Sequence, residues 1–214
     1  VIKNKAFDKS ALDTLLAGIS VKNTELVFCG CAVKEVADLF IDKLEREGID
    51  PETVKANFVI DPIIRKMTLK GKALCKEGCK CFENLASLIS RGAKYKRLRF
   101  VNVSGEAFQN CGSTIVQELA FTLAAGHEYL VRLMDQGLSI DQAASALRFS
   151  MSIGSNYFME IAKLRAARML WANIVSAYNP SRGCAAKMKV HAVTSQWNMT
   201  VYDAYVNMLR GTTE

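Results

Sequence analysis

The sequence predicts an α/β protein with parallel strands, and three features support that class. Five short segments rich in apolar and β-branched residues follow one another along the chain. Each is separated from the next by a segment with helical periodicity, which is typical of strands that pair in parallel through helical crossovers. With 50% hydrophobic residues and 3 prolines in 214, the composition is that of a folded domain with a sizeable core.

The predicted elements follow in a regular order. A first helix is expected at residues 8–18, capped by an aspartate or a serine, Asp8 or Ser10, and ended by Gly18. The strand candidates are residues 25–29, 57–61, 97–103, 148–153 and 188–194. The longer helices are predicted at residues 33–48, 82–92, 114–136 and 153–178. Shorter helices are expected after Ser139, which opens an S-I-D-Q capping box, and around residues 201–209. Residues 104–113, which contain two glycines, are predicted to form a loop.

The helix at residues 153–178 has the clearest periodicity. Apolar residues recur in steps of three or four, which places them on one side of a 3.6-residue helix. These residues are Tyr157, Ile161, Leu164, Ala167, Trp171, Ile174 and Tyr178. Glu160 and Lys163 fall on the rest of the wheel, spaced as an i,i+3 ion pair. The apolar stripe is therefore predicted to be the packing face.

The pattern alone leaves two architectures open. An open doubly wound sheet and part of a (β/α)8 barrel share this order of elements. A complete barrel typically has eight units and about 250 residues, so five units in this chain indicate an incomplete barrel or an open sheet. The sequence contains no glycine-rich phosphate-binding fingerprint.

Basic residues are concentrated in one segment of a chain whose net charge is +7. Residues 65–99 contain eleven basic residues and two acidic ones, Glu77 and Glu83. Such a segment can attract the phosphates of nucleic acid, of coenzyme A or of a membrane surface, and it can equally be a solvated surface. Neither a nucleic-acid motif nor interleaved aromatic residues accompany it, so we favour the solvated surface.

The seven cysteines are an odd number in a chain too long for a disulfide-stapled scaffold, which favours free thiols in a reducing compartment. The sequence shows neither a signal-peptide pattern nor a membrane-spanning run, and we expect a cytoplasmic protein without a membrane partner. Cys75, Cys79 and Cys81 are clustered, but they lack C-x2-C spacing and a fourth ligand. No metal site is predicted.

Four motifs occur in order along the second half of the chain. They are L-S-I-D at residues 138–141, S-I-G-S-N at residues 152–156, F-M-E-I-A-K-L-R-A-A-R at residues 158–168 and H-A-V-T-S-Q-W at residues 191–197. In sequence, order and spacing they resemble motifs of methylmalonyl-CoA mutase and its acyl-CoA mutase relatives. The resemblance covers essentially the whole chain and is strongest from residue 101 to residue 210. It implies that residues 1–214 are a partial (β/α)8 barrel of about five units, from a barrel whose axis receives the coenzyme A substrate.

The resemblance also implies that site residues of the family have been replaced. In active members the loop S-G-Y-H-x-Q carries a histidine that donates a hydrogen bond to the substrate thioester carbonyl. Residues 104–109 read S-G-E-A-F-Q, which puts Ala107 in that histidine's place. Two substrate-contacting arginines fall at Leu69 and Ala146 in the same alignment. Two glutamines of the family fall at Val59 and Val193.

Few site positions of the family are kept. His191 and Ser195 match, and we expect them to be remnants of substrate binding, while Gln196 stands where the family has glycine. Alanine cannot polarise a carbonyl, so no catalytic residue is predicted. The family's cobalamin-binding domain has a D-x-H-x-x-G signature that this sequence lacks, so this chain is not expected to bind the cofactor.

These losses imply a non-catalytic small subunit, as found in heterodimeric members of the family. Its partner would be the catalytic large subunit of an adenosylcobalamin-dependent methylmalonyl-CoA mutase, which interconverts methylmalonyl-CoA and succinyl-CoA. Two alternatives are a working acyl-CoA isomerase of altered specificity, and a basic module that binds phosphates or nucleic acid through residues 65–99. We expect no nucleic-acid partner.

Overall fold

The computed structural model describes residues 8–30, 32–68 and 80–213. The strands in these ranges are β1 Glu25–Phe28, β2 Lys55–Phe58, β3 Leu98–Arg99, β4 Val101–Ser104, β5 Leu147–Ile153 and β6 Val190–Thr194. The helices are α1 Lys9–Leu15, α2 Val33–Arg46, α3 Pro62–Thr68, α4 Cys81–Gly92, α5 Gly105–Asn110, α6 Ile115–Asp135, α7 Ile140–Ala146, α8 Tyr157–Ser176 and α9 Ala204–Thr213. Two 3-10 turns span Gly183–Ala186 and Gln196–Asn198.

The strands are parallel and are arranged in the order of the chain. Strands β1, β2 and β3 form one ladder, and β4, β5 and β6 form a second. Strands β3 and β4 are two halves of one extended segment, because only Phe100 separates them and its N–H donates to the carbonyl of Ala146 at 3.0 Å. The result is five consecutive parallel strands without a reversal of order, which distinguishes part of a barrel from a doubly wound sheet. The predicted partial barrel is confirmed.

The two ladders meet at Phe100 and Val101. Both side chains are buried, and the Phe100 ring stacks on Phe58 at 5.5 Å between centroids. Arg99 pairs with Asn57 before this point, and Asn102 pairs with Arg148 after it. Arg99 and Asn102, three residues apart, therefore both lie on the polar face, so the strict alternation of side chains is interrupted between them.

The helices cover one face of the sheet, where the core lies. Phe28 packs on Phe40 of α2 at 5.3 Å between ring centroids, and Phe149 of β5 packs on Trp171 of α8 at 4.6 Å. The alternate strand residues face the barrel axis on the other side, because successive side chains of a strand point in opposite directions. This second face carries the polar side chains described below.

The packing face of α8 differs from the predicted stripe. Ala167 and Trp171 are buried as expected, but Tyr157 is 68% exposed and Ile161 is 41% exposed. In the first two turns the buried positions belong instead to Glu160 and Lys163. The prediction is wrong there because these charged side chains have a buried partner on α6, which removes the reason for keeping them in water.

The other boundaries need smaller corrections. Residues 104–113, predicted as a loop, contain α5, and β2 begins at Lys55 and ends at Phe58. Of the two caps predicted for the first helix, the structure has Asp8, whose carboxylate accepts from the Ala11 N–H at 2.8 Å. The capping box of Ser139 and Gln142 is also present. Across the described ranges, no helix combines the length and apolarity that a membrane span requires.

Candidate functional site

The carboxyl ends of the strands bring together several of the positions singled out in the sequence. Val59 directly follows β2, and Ala107 lies in α5, directly after β4. Val193 lies near the end of β6, on the same strand face as His191. Leu69 lies outside the described residues. Ala146 is placed differently: it is buried at the amino end of β5, at the opposite edge of the sheet from Ala107.

The two matching polar residues have different surroundings. Ser195 is fully buried, donates its hydroxyl hydrogen to Oε1 of Gln109 at 2.7 Å, and accepts from the Trp197 N–H at 3.1 Å. Its hydroxyl therefore ties the end of β6 to α5. His191 lies in β6 opposite Ser150, and burial together with the nearby Arg148 lowers the pKa of its imidazole. His191 is thus the freer of the two for a ligand.

Two acidic residues at this edge were not singled out as site residues. Asp61 follows β2 and accepts from the Ser104 N–H at 2.9 Å and from the Tyr129 hydroxyl at 2.7 Å. Burial raises the pKa of Asp61. Burial, together with the negative charges of Asp61 and Glu118, raises the pKa of Glu106 to about 7. Oε2 of Glu106 is buried without a hydrogen-bond partner among the described residues.

The position of these two acids at the site could have been predicted from the sequence. Acidic residues that follow predicted parallel strands meet at the carboxyl edge of the sheet, where sites of α/β proteins are formed. Asp61 and Glu106 both satisfy that rule. The resemblance concerns the replaced family residues, so it predicts no role for either acid.

A layer of buried amide and hydroxyl groups lies beneath the acids. The Asn102 side chain donates to Oγ of Ser104 at 3.0 Å and accepts from Oγ of Ser150 at 2.8 Å. Below this layer, toward the amino ends of the strands, a cavity of about 790 Å³ opens. The buried Arg148 side chain reaches it from β5. We call this cavity the basic bore, after its lining side chains Lys55, Arg97, Arg99, Arg148, Lys189 and His191.

A buried ion cluster supports the carboxyl end of β5 from the helix side. Nζ of Lys163 lies 2.6 Å from a carboxylate oxygen of Glu118 and 2.6 Å from one of Glu160. Glu118 also accepts from the Ser152 N–H at 2.7 Å, and Glu160 accepts from the Gly154 N–H at 3.2 Å. The cluster therefore fixes where β5 ends and where its following loop begins.

The described part of the chain holds little that could bind a metal. Within the ranges 8–30, 32–68 and 80–213, no group of three or more histidine, cysteine or acidic side chains is placed to hold an ion. Of the clustered cysteines, Cys75 and Cys79 lie outside the described residues, and Cys81 begins α4.

Taken together, the consecutive parallel strands and the polar residues at their carboxyl edge define a protein of the β/α-barrel class. The sequence profile described as "Methylmalonyl-CoA mutase" matches residues 8–214. The methylmalonyl-CoA mutase small subunit of Porphyromonas gingivalis is 36% identical over 217 aligned positions, which cover 100% of this chain and 34% of that protein. The chain belongs to the methylmalonyl-CoA mutase family.

A mutase large subunit and a protein named as methylmalonyl-CoA mutase are similar as well. The methylmalonyl-CoA mutase large subunit of Streptomyces virginiae is 32% identical over 206 positions, covering 95% of this chain and 27% of that protein. The methylmalonyl-CoA mutase of Rhizobium meliloti is 40% identical over 127 positions, covering 59% of this chain and 18% of that protein. The chain thus spans about a third or less of the length of these relatives.

Proposed function

We propose that this chain is the central barrel part, residues 1–214, of a non-catalytic small subunit of methylmalonyl-CoA mutase. In this proposal it supports a catalytic large subunit that interconverts methylmalonyl-CoA and succinyl-CoA. The observation that carries the proposal is the turn after β4, which presents Glu106 and Ala107 at the carboxyl edge. The similarity to a protein named as a mutase small subunit agrees with it.

The chemistry of that turn is unsuited to a thioester. Stabilising negative charge on a carbonyl oxygen requires a hydrogen-bond donor aimed at it, and the Ala107 side chain has no donor. Glu106, whose pKa is about 7, is partly ionised at neutral pH, and an ionised carboxylate accepts hydrogen bonds but cannot donate them. An ionised Glu106 would repel the negative charge that develops on the carbonyl oxygen of the thioester.

The basic bore gives a second, independent support. The resemblance implies that the barrel axis of active members receives the coenzyme A substrate. In this chain a buried arginine, Arg148, and the side chain of Arg99 reach into that axis from neighbouring strands. Long charged side chains in the axis leave less room for the acyl-CoA arm than small residues would.

The described residues do not provide a binding site for adenosylcobalamin. The chain has two histidines, and neither is a free nitrogen ligand at the carboxyl edge. His127 lies 2.7 Å from the Tyr178 hydroxyl between α6 and the segment after α8, and His191 lines the basic bore. We therefore place the cofactor of the holoenzyme, adenosylcobalamin, on the large subunit and derive no step through it.

Co-purification and turnover assays test the proposal. The full-length protein would be expressed alone and together with the longer mutase homologue of the same genome, and methylmalonyl-CoA and adenosylcobalamin would be added to each. We expect a stable complex and turnover only when the longer chain is present. Ala107→His should leave the isolated chain inactive, because one restored donor does not replace the other missing groups. Turnover by the isolated chain would refute the proposal.

One observation favours a second candidate, a working acyl-CoA isomerase of altered specificity. A carboxyl group with a pKa of about 7 at the carboxyl edge has the protonation behaviour of a general acid or base. The turnover assay separates this candidate from the first. The nucleic-acid alternative has less support, because Arg91, Lys94 and Lys96 form ion pairs with acidic residues of α2 and the loop after it.

A further inference from the structure

The basic bore concentrates positive charge from distant parts of the chain. Its five lysine and arginine side chains come from β2, the β3 segment, β5 and the β6 segment, and they converge on one cavity of about 790 Å³. Glu25 is the one carboxylate among the described residues that line it. That carboxylate already accepts a hydrogen bond from the Asn57 side chain at 2.8 Å. The cavity therefore has a large excess of positive charge.

Among the side chains that line the basic bore, Arg148 gives the clearest indication of a missing binding partner. It is 7% exposed, and its Nη1 atom is buried without a hydrogen-bond partner among the described residues. Burial lowers the pKa of the Arg148 guanidinium, although the charges of Glu25 and Glu106 act in the opposite direction. Arginine stays charged in proteins, and buried arginines are normally paired. A missing partner at this place points to an anion that binds from outside.

A general shortage of acidic residues does not explain the unpaired charge. On the outer surface Arg91 bridges Asp38 and Asp42, at 2.5 and 2.6 Å. Lys94 likewise pairs with Glu45 at 2.7 Å. These two cations outside the bore thus have carboxylate partners, while the buried Arg148 inside it forms no ion pair with a carboxylate in the described part of the chain.

We propose that the basic bore binds a free phosphate-type oxyanion, with Arg148 as its central contact. The planar guanidinium can donate two parallel hydrogen bonds to such an anion, and the surrounding lysines and arginines add charge without further geometric demands. The cavity is roomy enough for phosphate or pyrophosphate. The inference does not depend on the proposed function, because an anion can bind whether or not a large subunit associates.

Titration calorimetry of the full-length protein tests the site. Sodium phosphate and sodium pyrophosphate would be titrated into the wild type, Arg148→Met and Arg91→Met, at low and at high sodium chloride. The second variant is the matched control, because it removes the same charge outside the bore. We expect Arg148→Met to weaken pyrophosphate binding about tenfold or more, as for the loss of a charge-assisted pair. Arg91→Met should change the affinity less than about twofold.

A coenzyme A titration and a melting curve complete the design. Arg148→Met should melt at or above the wild-type temperature without anion, because it removes an unpaired buried charge, and pyrophosphate should raise the melting temperature of the wild type only. The proposal is overturned if the wild type binds neither anion at about 1 mM, or if Arg148→Met binds as the wild type does. Tighter binding of coenzyme A than of pyrophosphate through Arg148 would also overturn it, since the bore would then be a substrate channel.

Discussion

Replacing Lys163 by methionine tests how much the buried ion cluster contributes to stability. The Lys163 side chain is completely buried and shared between Glu118, also completely buried, and Glu160, which is 6% exposed. Methionine keeps most of the volume but leaves two carboxylates without their cation. Removing one partner of a buried ion pair typically costs about 3–5 kcal/mol, because an uncompensated charge stays in the interior. We expect Lys163→Met to lower the free energy of unfolding by that amount at pH 7.

Urea unfolding followed by circular dichroism measures the change. Lys94→Met is the matched control, since Lys94 pairs with Glu45 on the surface and such pairs contribute about 0–1 kcal/mol. The double variant Lys163→Met/Glu118→Gln should recover part of the loss, because it also removes one of the stranded charges. A loss below about 1 kcal/mol, or one equal to that of the control, would refute the argument.

The pH dependence of this variant gives an independent check. Burial raises the pKa of the Glu118 carboxyl, and without Lys163 the hydrogen bond from the Ser152 N–H is left as the main contact that opposes this effect. A group whose pKa is raised on folding favours the native state at low pH and ceases to do so as the pH rises through the folded-state pKa. The stability difference between Lys163→Met and the wild type should therefore shrink as the pH falls toward 4. A difference independent of pH would contradict this assignment.

Three further predictions follow from single side chains. Burial raises the pKa of Glu106 from 4.5 to about 7, so the free energy of unfolding of the wild type should fall by up to about 3 kcal/mol as the pH rises through that interval. Urea unfolding should therefore show Glu106→Gln to be more stable than the wild type at pH 8 but not at pH 4. Gly105→Ala would place a Cβ atom 2.8 Å from the Ser150 carbonyl oxygen and should cost about 1–3 kcal/mol, whereas Gly183→Ala, with open space around it, should be nearly neutral in the same measurement. Trp171→Ala should cost about 3–5 kcal/mol, and a melting temperature unchanged from the wild type would show that its packing on β5 is not part of the core.

The order of the elements could be predicted from the sequence because hydrophobic periodicity is a local property. Each strand and each longer helix was placed within a few residues of its position in the structure. The break in alternation at Phe100 and Val101 could not be predicted, because both side chains are apolar and either could have faced the axis. Helix α5 could not be predicted either, because Gly105, its first residue, and Gly112, which follows it, favoured a loop.

The candidate site could be predicted only where a residue's neighbours in sequence define its position. Val59 and Ala107 follow strands, and so their place at the carboxyl edge could be inferred. An alignment gives no such information for Ala146, which the structure places at the amino edge, and its role as a lost substrate contact stays a prediction. The burial of Lys163 depends on Glu118, 45 residues away, and no local pattern reports a pairing over that distance.

The Tyr129 hydroxyl has a consequence for how the two ladders come together. It lies on α6, yet it donates to Asp61 at 2.7 Å and accepts from the Ile63 N–H at 3.1 Å, at the first turn of α3. The start of α3 thus gains a hydrogen-bond acceptor only after a helix 66 residues further along the chain has docked. The ordering of α3 therefore depends on the packing of α6, which comes later in the chain. We expect the two halves of the sheet to become ordered as one cooperative unit.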